Sequence, residues 1–418
     1  MNVLLLGSGG REHALAWKLA QSSRIGQFYA LPGNPGIAQY AELVEGVALS
    51  AHDTLITWCQ DHDIDLVVVG PETPLVAGLV DRLAQAGILA FGPTAAAARL
   101  EGSKLFTKQL CRSHGIPTAD FGRFDTPQAA QDYVQAKGAP IVVKADGLMA
   151  GKGVVVALTV NEAIQAIQEV FAAGGQEVLV EDFMEGEEAS LFCLVDGETV
   201  VPFGSAQDHK RAFDGDKGPN TGGMGAYSPA AVLTPELEAR AIAEIVAPTA
   251  RAMVREGAPY RGILYAGLML TQSGPKLVEY NCRFGDPECQ VLMPRFTGDL
   301  LDVLAATAAG RLKEVEVSWS SDSALTVVYA SRGYPGPHAT GSQIEGLDAA
   351  GAIEGAMVFQ AGTTRRGPIL RSKGGRVLNV TATGATLAEA RARAYAAASL
   401  IQWPEGFYRT DIGWRALS

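Results

Sequence analysis

The chain has 418 residues, with 45 acidic and 34 basic side chains and a net charge of −11. One core stops growing near roughly 250–300 residues, so this length implies several domains. Apolar residues at 47% and charged residues at 19% exclude a disordered chain, and the acidic balance speaks against nucleic acid, whose affinity comes mainly from Lys and Arg. No apolar run reaches the roughly 18–20 residues of a membrane helix. The start, Met1–Gly7, reads as a strand and not as a signal peptide. The five cysteines form no CxxC pair, so neither a zinc ribbon nor a disulfide framework is expected, and a reducing cytoplasm fits best.

In chain order, strands are predicted at Val3–Leu6, Leu66–Val69 and Ile88–Phe91, with helices at Arg11–Gln21 and Leu75–Ala86. This alternation implies a parallel sheet covered on both faces. A helix from Gly102 to Gly115 carries Lys104 and Lys108 and stops at Gly115-Ile116-Pro117. Strands Ile141–Lys144 and Val154–Ala157 flank a glycine loop, followed by a helix (Asn161–Ala172) and a strand (Glu177–Val180). Further strands are expected at Leu264–Leu270, Lys276–Asn281, Ala324–Tyr329 and Arg376–Thr381. A last helix opens with the capping pattern Thr386-x-x-Glu389.

Glycine is abundant, 48 residues of 418, and clusters. Gly7-Ser8-Gly9-Gly10 follows a strand and opens a helix, a place for a phosphate or simply a tight turn. It is not a dinucleotide fingerprint: Glu12 stands at the third glycine position, and Gln27–Tyr40 contains no acid for a ribose. Gly147 to Gly153 resembles a P-loop but encloses three residues between Gly147 and Gly151, and has Gly153 where Ser or Thr belongs. A hairpin loop is the better reading, with Lys152 adding charge and Lys144 ending a buried strand, where lysine needs an anion. Glu181-Asp182-Phe183-Met184 ends one segment, and Glu188 begins the next. Glu279 and Asn281 share one face of a strand by period two, opposite Val278 and Tyr280, as two oxygen ligands suited to magnesium. Arg283 follows. The run Asp208–Tyr227 costs entropy to order and is expected to place amides beside a ligand. No nucleophile constellation appears.

These motifs occur in a fixed order: Gly7–Ala14, Gly70-Pro71-Glu72, Glu101–Lys104, Lys144–Gly153, Gln207–Arg211, Gly218–Gly225, Glu279–Glu288 and Asp411–Arg415. In this the chain resembles, end to end, the phosphoribosylamine–glycine ligase family of the ATP-grasp superfamily. The resemblance implies an α/β fold with four parts: an N-terminal parallel-sheet domain (1–103), a small flap (104–186), a central α+β domain (187–322) and a C-terminal α/β domain (323–418). It implies an ATP-dependent carbon–nitrogen ligase of purine biosynthesis, acting through glycyl phosphate on glycine and 5-phosphoribosylamine. ATP is then a substrate, with magnesium or manganese as the metal, no nucleic-acid or membrane partner, and a monomer.

Position by position, the resemblance implies that Lys104 and Lys144 contact ATP phosphates and that Gly147, Gly151, Lys152 and Gly153 belong to a flap loop. Glu181, Asp182, Phe183 and Met184 line adenine, Glu188 meets ribose, and Glu279 and Asn281 hold the metal. Arg283 meets the transferred phosphoryl group. Asp208, Lys210, Thr221, Gly222 and Gly223 sit by glycine and the acyl phosphate. Gly9, Gly10, Arg11, Asn34, Pro35, Gly36, Pro71 and Glu72 face phosphoribosylamine, and Arg376 reaches its phosphate. The strand Leu264–Leu270 lacks the acid that many ATP-grasp enzymes add to the metal site, so a second metal ion would take a ligand from water or phosphate oxygens, with Asp286 or Glu288 as candidates. Rival readings are another ATP-grasp ligase or carboxylase, distinguished by the Asp208–Gly225 region and Arg11, and a dehydrogenase or nucleotide sensor.

Overall fold

The computed structural model describes residues 1–148 and 153–417. Strand Val3–Gly7 lies at the centre of an all-parallel sheet, between Phe28–Pro32 and Leu66–Val69, with Glu42–Leu43 and Leu89–Phe91 at the edges. Leu4, Leu6, Val67 and Val69 pack on one face, and Val3, Leu5, Leu66 and Val68 on the other. Both faces being buried explains why these strands read as unbroken apolar runs. The predicted helix Leu75–Ala86 is in fact two, Glu72–Val76 and Leu79–Gln85, because Gly78 takes a left-handed φ of 80° between them.

The helix Lys104–His114 begins after its Ser103 cap and ends at Gly115 (φ 65°), as the stop signal predicts. The segment that the resemblance implies as the flap forms an antiparallel sheet in the order Phe121–Phe124, Val178–Asp182, Ile141–Ala145, Val154–Ala157. Helices Pro127–Lys137 and Val160–Ala172 cover one face through Ile141, Val143, Val178 and Val180. By alternation, Val142, Lys144, Leu179 and Glu181 occupy the opposite face.

Among the described residues the largest sheet runs Gly274–Asn281, Arg261–Thr271, Glu187–Asp196, Thr199–Asp208, Gly225–Ser228, Ser323–Ser331, Arg376–Gly384, Ala356–Gln360. It crosses residue 322 without a break, since Gly225–Ser228 pairs directly with Ser323–Ser331. Leu264, Leu268, Leu277 and Tyr280 share one core with Leu4, Leu6, Val67 and Val69, which locks the N-terminal sheet onto the central one. Asp208–Tyr227 is not an open loop. It folds as a hairpin, Arg211–Phe213 with Lys217–Asn220, and returns to the large sheet. The last helix, Leu387–Ser399, is capped by Thr386, but the carboxylate of Glu389 takes the amide of Ala385, one residue before the expected partner.

Candidate active site

Where the flap faces the central sheet, three charged side chains are buried together. Glu181 Oε2 accepts from Lys108 Nζ at 2.8 Å and Lys144 Nζ at 3.0 Å. Burial holds Lys108 below its ordinary pKa, with Glu181 opposing. The second carboxylate oxygen, Glu181 Oε1, is buried without a partner. Lys104 lies one turn before Lys108, and its Nζ donates to the carbonyl of Gly147 at 2.8 Å. Burial lowers its pKa too, against Glu279 and Asp146. Asp146 ties the loop to this helix, accepting from Ser103 Oγ at 3.1 Å and from the Leu105 amide at 3.2 Å. Gly147 has a φ of 86° and open space around it, and the Gly153 carbonyl accepts from the Ala145 amide. Gly151 and Lys152 lie outside the described residues. Asp182 pairs with Lys137 at 2.6 Å, while Phe183 is exposed and Met184 half-buried beside it.

The sheet register builds an acidic face next to this cluster. Glu279 lies opposite Gly267 and Asn281 opposite Tyr265, and those two residues lie opposite Ser190 and Phe192. A bulge at Val278 interrupts the strict alternation expected there, and the Val278 carbonyl accepts from Lys144 at 3.4 Å. Neither Glu279 nor Asn281 has a side-chain hydrogen bond among the described residues, and both are half-buried. Two hard oxygen donors left free fit a magnesium ion that takes its remaining ligands from phosphates and water. No group of three His, Cys, Asp or Glu with metal-site geometry occurs among the described residues.

Glu188 forms an ion pair with Lys210. Burial works against the Lys210 charge, but Glu188 and Asp208 keep its pKa well above the ordinary value. Burial pushes Asp208 up to about 7, with Glu288 and Glu188 adding to it and Lys210 opposing. Glu288 is buried and accepts from Tyr265 Oη at 3.0 Å. Asp286 points elsewhere: its carboxylate takes Gln290 Nε2 at 2.9 Å, the Arg11 amide at 3.3 Å and Arg376 at 3.4 Å.

A third group surrounds the start of the first helix. Glu12 accepts from the Gly9 amide and from Arg11 Nε, both at 2.6 Å. It fills the space that a Cβ at Gly7 or Gly70 would need. The first glycine cluster therefore gives its Gly9 amide to Glu12, and Gly7 and Gly9 make room for that side chain. Arg11 also donates to the Phe284 carbonyl at 3.0 Å. Arg283 reaches Glu72 at 3.2 Å and Glu101 at 2.9 Å; burial opposes its charge, and these two acids raise its pKa. Pro71 precedes Glu72 at the start of a short helix. Asn34 is fully engaged, donating to the carbonyls of Ser8 and Gln360 and accepting from the amides of Gly36 and Ile37. Pro35 is half-buried, and Gly36 packs against the ring of His13, whose pKa burial lowers to about 4.

The Thr221–Gly223 amides are also satisfied within the protein. Thr221 N donates to the Lys210 carbonyl, Gly222 N to Tyr334 Oη and Gly223 N to Thr221 Oγ1. Arg376 Nη1 donates to the carbonyls of Gly222 and Asp286, each at 2.6 Å. Its Nε and Nη2 have no partner among the described residues. Gly10 lies against Gln290 and Asn379. The sequence places Lys108 on a helix and Glu101 in a motif but gives neither of them, nor Tyr265, a role in the site. The i, i+4 spacing of Lys104 and Lys108 was the available signal for the first; the other two are brought in only by tertiary contact.

Family models of phosphoribosylglycinamide synthetase match residues 1–101 (N domain), 102–289 (ATP-grasp domain) and 324–415 (C domain). The chain belongs to this family. Phosphoribosylamine–glycine ligase of Brucella melitensis is 58% identical, covering 100% of this chain and 98% of its own. The chloroplastic enzyme of Arabidopsis thaliana is 52% identical over 97% of this chain and 79% of its own. The crystal structure of the Thermotoga maritima phosphoribosylamine–glycine ligase superposes with a TM-score of 0.86 at 33% identity, covering 98% of this chain and 100% of that one. A biotin carboxylase domain from Hydrogenobacter thermophilus shares the fold at a TM-score of 0.74 and 16% identity, over 97% of this chain and 91% of that one. No helix among the described residues is long and apolar enough to cross a membrane.

Proposed function

We infer that this chain is an ATP-dependent ligase joining glycine to 5-phosphoribosylamine through glycyl phosphate, releasing glycinamide ribonucleotide, ADP and phosphate. A carboxylate resists attack by an amine because oxide is a poor leaving group, and phosphorylation replaces it with a good one. The observation that carries this reading is the placement of the acidic face between two cationic groups. Lys104 interacts with Glu279 and Lys144 donates to the neighbouring Val278 carbonyl, while Arg283 follows Asn281 by two residues and is held by Glu72 and Glu101. Such a site positions anions and manages their charge; it needs no covalent nucleophile.

On this reading Lys104 and Lys144 bind ATP phosphates under the Gly147–Gly153 loop. Glu181 to Met184 line adenine, and Glu188 meets ribose. Glu279 and Asn281 would hold magnesium or manganese, which when bound supplies charge neutralisation to the phosphates. Lys210, Asp208 and the Thr221–Gly223 turn hold glycine, and Arg283 faces the phosphoryl group that glycine receives. Arg11, Glu72, Pro71, Gly9, Gly10 and Asn34 to Gly36 shape the phosphoribosylamine pocket. The two open nitrogens of Arg376 meet its phosphate. We take the monomer as the working unit, and the cytoplasm, where the five free cysteines stay reduced, as its compartment.

The test is release of ADP and phosphate with ATP, magnesium, glycine and freshly generated phosphoribosylamine, omitting each in turn. Turnover that needs all three substrates is expected. Turnover without glycine would keep the ATP-grasp fold and discard the substrate assignment.

A further inference from the structure

The segment Arg409–Arg415 has no role in the reaction described so far, yet it holds one of the most deeply buried cations. The guanidinium of Arg409 is fully buried, and four hydrogen bonds engage it. Nε and Nη2 pair with the two oxygens of Asp411 at 2.7 and 2.8 Å, and Nη1 donates to Asp216 Oδ1 and the Arg211 carbonyl, both at 3.0 Å. Asp216 sits at the tip of the 211–220 hairpin with a left-handed φ of 54°, which Asp tolerates better than most residues with a side chain. Its other oxygen accepts from Arg415 Nη2 at 2.5 Å. The rest of the tip is held from the same side. The Thr410 amide donates to Asp214 and the Gly215 amide to Asp411, each at 2.8 Å. At the hairpin base the Gly413 amide donates to Nε2 of the fully buried His209 at 3.0 Å. His209 immediately precedes Lys210, whose carbonyl accepts from both the amide and the hydroxyl of Thr221.

We propose that Arg409, acting through Asp216, is a positioning residue for the ligation. The C-terminal segment grips the tip and base of the hairpin, and so sets Lys210 and the Thr221–Gly223 turn over the acidic face. This rests on the reading that Lys210 and that turn hold glycine. Arg409 touches no substrate itself. A lysine cannot replace it, because one ammonium cannot span Asp411 and Asp216 as the planar fork does.

The experiment measures kcat, the three KM values and thermal stability for Asp216→Asn, Arg409→Met, Arg409→Lys, Lys210→Met and the core control Val380→Ala. Asp216→Asn keeps the side-chain shape and is the variant to rely on should Arg409→Met fail to fold. Misplacement by about an ångström costs on the order of a hundredfold, so kcat/KM for glycine should fall by about that factor in the Arg409 variants and by about tenfold in Asp216→Asn, with KM for ATP within about twofold of wild type. Arg409→Lys should not rescue. Combined with Lys210→Met, the Asp216→Asn loss should be less than additive, because both act on one group. Folded Asp216→Asn with unchanged glycine kinetics, or with all three KM values moved together as in Val380→Ala, would overturn the proposal. A silent Lys210→Met would instead bring down the assignment of Lys210 on which the proposal stands.

Discussion

Replacing Glu181 by glutamine isolates the lysine cluster at the flap. The two ammonium groups lie 2.8 and 3.0 Å from the same carboxylate oxygen. They are therefore within about 6 Å of each other, and at an effective dielectric near 20 two unit charges at that distance repel by about 3 kcal/mol. Glutamine keeps the shape and removes the charge that offsets this repulsion. Breaking a buried ion pair from one side generally costs about 3–5 kcal/mol, in agreement. The unfolding entropy grows with chain length, so for 418 residues the shift is about 1 °C per kcal/mol, and the variant should melt about 3–5 °C below wild type at pH 7 without nucleotide. The pH dependence adds a sign. Burial already holds Lys108 below its ordinary 10.5, and a lysine with a depressed folded pKa releases protons on folding. Stability then rises as pH climbs through the window between the folded value and 10.5. Losing Glu181 lowers the folded value further, widens that window, and makes the deficit shrink between pH 7 and about 9.5. The assay is thermal unfolding followed by far-UV circular dichroism at both pH values. A melting point within about 2 °C of wild type at pH 7, or a deficit independent of pH, would refute the argument.

Lys144→Met should leave the melting point nearly unchanged, because Lys108 still pairs with Glu181. Loss of a charge-assisted hydrogen bond worth about 1.5–3 kcal/mol should weaken ATP binding by about tenfold or more, and calorimetric titration showing wild-type affinity would remove Lys144 from the nucleotide site. Glu279→Ala should lower turnover by about a hundredfold or more with the fold intact, as loss of a principal electrostatic group does; wild-type turnover at saturating magnesium would contradict the metal assignment. Burial raises the folded pKa of Asp208 from 3.8 to about 7, so the folded state holds more protons in that interval and this group's contribution declines as pH rises through it. Asp208→Asn should therefore gain stability relative to wild type between pH 5 and about 8. A difference in melting point that stays flat over that range would mean the carboxylate is not buried as described.

Much of the fold was legible locally. Leu66–Val69 lies between Asp65 and Gly70, Val154–Ala157 begins directly after Gly153, and Gly115 stops its helix as a left-handed cap should. These outcomes depend on steric preferences within a few residues, which composition and period report directly. The motif order was legible too, because glycine spacing and the absence of a nucleophile exclude whole classes of chemistry. The position of Glu12 excluded a dinucleotide fingerprint, but only the structure shows why: the carboxylate lies between Gly7 and Gly70 and takes the Gly9 amide.

What the sequence by itself determined was therefore the elements and the kinds of chemistry they carry. Which charges meet was decided by tertiary structure alone. Glu181 reads as a residue facing a nucleotide, yet it binds two lysines, 37 residues away in one case. Arg409 reads as an unremarkable tail residue, yet it is buried against a hairpin almost 200 positions earlier in the chain (|i−j| 193). Side-chain periodicity says which face a residue occupies. A buried charge is held by whatever opposite charge packing brings within about 3 Å, and over such separations only the assembled sheet sets that distance.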